Sequence, residues 1–160
     1  MSDITDAFTQ PGTNRGLFSD GAFQQPKAEA VSSVTNPAAA QGFTTVPDAT
    51  ATDVDAAVAA ARAAFAGWSA LDPIDRARHL RRFADVVGEN IPKLAILESI
   101  VTGRALKEMN AQMVRIPEWI EYFAGIAMGL EGESNVVKGG YVTMTHYEPL
   151  GPVALLTPRN

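Results

Sequence analysis

Between Thr52 and Leu130 apolar residues return at every third or fourth position, interrupted only where Pro or Gly punctuates the chain. That period belongs to helices with one buried face, so the middle of the chain is committed to a helical layer. Val54, Val58, Ala61, Phe65 and Trp68 mark the first helix, and its many alanines favour helix and close packing. Thr52 with Asp55 reads as its capping box, a hydroxyl accepting from an early N–H and an acid at the positive helix end. Asp72-Pro73 opens the second helix, whose stripe is Leu80, Phe83, Ala84, Val87 and Ile91. Pro92 is expected to break or kink it, leaving a third segment from Lys93 to Val101 that stops at Gly103. The fourth helix is predicted from about Ala105 to Leu130. Its stripe is Leu106, Met109, Met113, Ile116, Ile120, Phe123, Ala127 and Leu130, and Pro117 should kink it.

The flanks have strand chemistry. Leu17-Phe18 and Ala22-Phe23 enclose Ser19-Asp20-Gly21, the pattern of two short strands about a tight turn. Val31–Val34, ended by Asn36-Pro37, and Phe43–Val46 are two further candidates. Gly129, Gly132 and Gly139-Gly140 mark loop and turn beyond the helices. Tyr141–Tyr147 is rich in β-branched and aromatic residues, and Val153–Thr157 is an apolar run suited to a strand buried on both faces. Residues 1–16 are polar and read as a mobile tail without a basic, then apolar, leader.

The chain has 160 residues, one domain's worth, of which 46% are hydrophobic and 19% charged, as in a soluble globular protein. A net charge of -5 without a basic stripe argues against nucleic acid as a partner, and no apolar run is long enough to span a membrane. There is no Cys, so disulfides, a thiolate nucleophile and Cys-ligated metal are excluded within these residues. A cytoplasmic location is expected from that composition.

Phosphate loops, Gly-x-Gly-x-x-Gly turns, Gly-x-Ser-x-Gly elbows and His-Glu-x-x-His pairs are missing, so no site of these kinds, metal included, is read. His79 and His146 could be acid–base groups, but neither has a nucleophile or carboxylate constellation beside it; both read as solvated or packed. Arg76, Arg78, Arg81 and Arg82 could bind an anion. They read more simply as a solvated helix face pairing with local acids such as Asp72 and Asp75. The Met and aromatic stripe at 109–130 reads as core or subunit contact in preference to a ligand pocket.

A more specific signal comes from motifs in series. Asp53-Val54-Asp55-Ala56-Ala57-Val58 is followed by Ala60-Ala61, Ala63-Ala64-Phe65 and Trp68, then by Arg76-Ala77, Leu80 and Ala84. Leu97-Glu98-Ser99, Thr102-Gly103-Arg104, Tyr122-Phe123-Ala124-Gly125 and Glu148-Pro149-Leu150-Gly151 come next, and Pro158-Arg159-Asn160 closes the series. In this order, from about Leu17 to Asn160, they resemble the first third of an NAD(P)-dependent aldehyde dehydrogenase.

The resemblance implies an α/β fold of mixed α+β character: N-terminal β-hairpins, about four helices in a layer, then an oligomerisation-type β segment leading into a truncated Rossmann-like nucleotide domain. Residues 141–154 would be oligomerisation-arm strands and 155–160 the start of the nucleotide-binding strand. In the family a Cys thiolate attacks the aldehyde, a Cys N–H and an Asn amide hold the oxyanion, the nicotinamide accepts hydride, and a Glu activates water. Only the Asn maps here, as Asn160; Thr157, Pro158 and Arg159 match the segment that touches the dinucleotide, NAD or NADP. Arg159 stands where the family usually has Trp, and Val101 where it usually has an acid that helps hold a monovalent cation. Without the Cys and the Glu, this chain alone is expected to be inactive. It is expected to act in a homo-oligomer or with a companion chain carrying the rest of the fold, and the complete enzyme would take a small aldehyde. The alternative is a non-catalytic assembly protein that keeps the family's arm.

Overall fold

The computed structural model describes residues 16–24 and 30–157. Among them the order is two β-hairpins, four helices and a third hairpin, a mixed α+β arrangement. The expected tail at 1–16 lies, but for Gly16, outside the described residues.

Strands β1 (Leu17–Ser19) and β2 (Ala22–Gln24) pair antiparallel around Asp20-Gly21. Both turn residues have positive φ, 52° and 72°, the twist that lets a two-residue turn join right-twisted strands. Phe18 and Phe23 face each other across the pair, ring centroids 5.3 Å apart and edge to face. Strands β3 (Val31–Asn36) and β4 (Gln41–Pro47) form the second hairpin, longer than the 31–34 and 43–46 expected because ladder bonds extend to the turn. The Asn36 side-chain oxygen accepts from the Ala38 N–H at 3.0 Å and starts that turn. At the open end the Ser32 hydroxyl donates to Asp48 Oδ1 at 2.6 Å.

Helix α1 (Ala51–Ser69) is capped by Thr50 and Asp53. The Asp53 N–H donates to the Thr50 hydroxyl at 3.2 Å, and the Thr50 N–H donates to the Asp53 carboxylate at 2.9 Å. This corrects the expected Thr52–Asp55 box. The same spacing occurs twice, and the earlier copy prevails because Ala51 and Thr52 continue readily as helix. No residue of α1 is buried.

Helix α2 (Pro73–Thr102) is one element of 30 residues, so the break at Pro92 and the separate segment from Lys93 do not occur. Pro92 removes one hydrogen bond, to the carbonyl of Gly88, and its ring crowds a residue whose backbone adapts readily. Ile91 and Ala95, buried on either side of Pro92, anchor both halves to the same core. Arg76 and Asp75 N–H groups both donate to the Asp72 carbonyl at 3.0 Å, while the Asp72 side chain makes no capping bond. The Gly103 stop is as expected: φ is 76° and its N–H donates to the Ser99 carbonyl at 2.9 Å.

The expected helix 105–130 is two helices, α3 (Leu106–Met113) and α4 (Arg115–Met128), joined at Val114. In a continuous helix the Pro117 ring would strike the Met113 carbonyl; as third residue of a new helix it gives up only an N–H with no partner in the helix. The core lies where α2 meets α4 and α3. Its buried members are Ala77, Ala84, Ile91, Ala95, Met109 and Ala124. Small residues line the α2 side, and a Cβ on Gly88 would stand 3.7 Å from the Pro117 ring of α4. Phe83, expected in the stripe, is exposed. One position before Ala84 it points about 100° away from the contact line.

Strands β5 (Ser134–Val137) and β6 (Tyr141–Met144) form the third hairpin about the Gly139-Gly140 turn. The sequence offered only its second strand, and longer, as 141–147. The Thr145 N–H donates to the Glu133 carbonyl at 2.8 Å and closes the pair; all eight strand residues are exposed. Residues 145–157 have no regular secondary structure, and Leu155 and Leu156 are exposed, which corrects the buried strand expected at Val153–Thr157. A parallel strand is held by its neighbours' ladders, and no neighbour for this run is present among the described residues.

Candidate functional site

Thr157 is exposed on the irregular segment after β6, while Pro158, Arg159 and Asn160 lie outside the described residues. A dinucleotide is ordinarily cradled where a strand leads into a helix N-terminus. Residues 145–157 provide neither strand nor helix, so they do not by themselves fit NAD or NADP. His79 and His146 are not brought together with a nucleophile. His79 lies with its ring 6.0 Å from Trp68, joining the end of α1 to α2. His146 is exposed with Nε2 3.9 Å from the exposed carboxylate of Glu148, a pair screened by water and active only when the imidazole is charged.

Two arginines of α2, Arg76 and Arg78, have local structural partners. Arg76 donates through Nη2 to the Leu71 carbonyl at 2.9 Å and clips the α1–α2 linker to the helix it precedes. Arg78 pairs with Asp75 one turn earlier at 2.5 Å. The Thr102-Gly103-Arg104 turn is equally self-contained. The Ser99 hydroxyl donates to the Arg104 carbonyl at 2.6 Å, the Thr102 hydroxyl to the Glu98 carbonyl at 2.7 Å, and Gly103 abuts the Pro37 ring of the second hairpin. The Val101 side chain beside it carries no carboxylate, and no cluster of three or more His, Cys, Asp or Glu that could hold a metal occurs among the described residues. No described helix is long and apolar enough to cross a membrane.

The feature that periodicity did not single out is on α4. Arg115, Glu118, Trp119 and Tyr122 line an open cleft of about 420 Å³. Trp119 stacks on Phe123 at 6.5 Å, and Tyr122 meets both rings edge to face, at 6.3 Å and 5.4 Å. The i, i+3, i+4, i+7 spacing of the four lining residues was present in the sequence, on the side of the helix away from the residue line that meets α2.

Comparison with known proteins matches this architecture. The aldehyde dehydrogenase family model covers residues 23–160. A hydroxyisobutyraldehyde dehydrogenase of Mycolicibacterium austroafricanum is 35% identical over 155 residues, 97% of this chain and 31% of that protein. A crystal structure of an aldehyde dehydrogenase from Burkholderia cenocepacia superposes with a TM-score of 0.74 at 37% identity, over 81% of this chain and 27% of that one. The structure of PnpE in complex with nicotinamide adenine dinucleotide gives a TM-score of 0.75 at 35% identity with the same coverage. The chain belongs to the aldehyde dehydrogenase family. It corresponds to the N-terminal part of that fold and spans about a third of the length of the curated relatives it matches.

Proposed function

We propose that this chain supplies the N-terminal part of an NAD(P)-dependent aldehyde dehydrogenase, which oxidises an aldehyde to a carboxylic acid. The observation that carries this is the family match across residues 23–160, together with full-length relatives that carry dehydrogenase names. In a completed site the Asn160 amide is an oxyanion donor, and Thr157, Pro158 and Arg159 contact the cofactor. NAD is the first choice because PnpE was solved with it. When bound, the nicotinamide supplies the hydride acceptor. A Cys and a Glu outside these residues supply nucleophile and base. One oxyanion donor is worth roughly 10²–10³ in rate, but no covalent route exists without the nucleophile, so the 160 residues alone do not turn over.

A second reading is an assembly protein without chemistry. The β5–β6 hairpin favours it, since its strands expose Val136, Tyr141, Val142 and Met144 and leave edges free to pair with another chain. An NAD(P) titration with native mass spectrometry separates the two. Nucleotide binding in an assembly with a second polypeptide supports the dehydrogenase. A homogeneous assembly of this chain, silent to nucleotide, refutes it.

A further inference from the structure

Helix α2 closes its own C-terminal end with side chains. The Ser99 hydroxyl donates to the Arg104 carbonyl at 2.6 Å, and the Thr102 hydroxyl donates to the Glu98 carbonyl at 2.7 Å. The Arg104 N–H turns back to the Thr102 hydroxyl at 3.4 Å, so Arg104 is tied to the helix end through both of its backbone groups. The Gly103 N–H completes the closure at the Ser99 carbonyl, 2.9 Å away. The second hairpin is joined to this turn by direct packing: β3 contacts α2, and the Pro37 ring stands where a Cβ on residue 103 would be.

The family resemblance implies a monovalent cation here, helped by an acid at the position of Val101. The donor set does not fit one. Hard cations are held by oxygen atoms, and a carboxylate supplies charge as well as oxygen; Val101 supplies neither from its side chain. The nearest acid before it, Glu98, lies on the preceding turn, and helix side chains lean toward the N-terminus, away from this end. The hydroxyl hydrogens of Ser99 and Thr102 are already spent on carbonyls of the same turn. Arg104 adds a fixed positive charge to the segment, which answers the negative end of the helix dipole and repels a second cation. We infer that the joint between α2 and the second hairpin is a cation-independent one, held by the Ser99 and Thr102 hydroxyl bonds and the Pro37–Gly103 contact, and indifferent to potassium or sodium. This goes beyond the proposed function and does not rest on it.

The test is amide hydrogen exchange of the segment 98–105 in the full 160-residue chain, in KCl, NaCl and choline chloride at equal ionic strength, so that screening is the same in all three. Exchange should be protected and should agree within about twofold among the salts. Ser99→Ala should speed exchange of the segment several-fold, by the same factor in each salt, while the Val136–Tyr141 hairpin is unaffected. Protection that rises about fivefold or more in KCl or NaCl over choline, and saturates with the ion, overturns the inference. So does a segment unprotected in every salt, or one that Ser99→Ala leaves unchanged, since its hydrogen bonds then do not hold the joint. None of these outcomes involves nucleotide or catalysis, so the proposed function stands or falls separately.

Discussion

At the scale of the residue, two glycines on the same helix system answer to different constraints. Gly103 ends α2 at φ 76°, and a Cβ there would stand 2.8 Å from the Pro37 ring of the second hairpin. Gly103→Ala is therefore strained twice, by backbone and by contact, and should lower stability by about 1–3 kcal/mol in urea unfolding. Gly88 sits within helix α2, where a Cβ would meet the Pro117 ring at an ordinary 3.7 Å. Gly88→Ala gains helix propensity and a methyl contact with α4 but gives up the glycine that adapts to the Pro92 ring, so the net change should stay within about 1 kcal/mol of zero, clearly smaller than that of Gly103→Ala. Neither neighbour is close in sequence, so the need for glycine at 103 was legible as a helix stop while the pressure from Pro37 was not.

At the scale of the element, helix α1 shows local signals acting almost alone. It buries no residue, and its start rests on the reciprocal Thr50–Asp53 bonds. Thr50→Ala should cost about 1 kcal/mol, read as faster amide exchange confined to the first turns of α1. Periodicity made the helices legible; their boundaries depended on what each proline met. Pro92 is carried through because Ile91 and Ala95 are held in the core around it, whereas Pro117 separates α3 from α4. Sequence alone gives both the same breaking tendency. Strand β5 was not legible, since Ser134-Asn135-Val136-Val137 has little strand signal of its own and is defined by pairing with β6. The apolar run at Val153–Thr157 shows the reverse: strand composition without a ladder partner gives no strand among the described residues.

At the scale of the whole molecule, the ordered motifs carried more than any single residue. Thr157, Pro158, Arg159 and Asn160 take chemical meaning only from the family resemblance, because their residue types alone do not distinguish an amide that holds an oxyanion from any other. The aromatic face of α4 was legible only in part: Phe123 belonged to the stripe expected as core or subunit contact but is exposed, while Trp119 and Tyr122 lie outside that stripe. The central claim is that these 160 residues form one part of a dehydrogenase site whose nucleophile and base are carried elsewhere. It is tested most directly by aldehyde-dependent reduction of NAD(P)+, measured on the purified chain and on its complex with the catalytic portion of a relative. The chain alone should show no turnover and the complex should turn over, with the rate reduced at least tenfold by Asn160→Ala. Turnover by the chain alone, or a formed complex that stays silent with NAD+ and NADP+ alike, would contradict it.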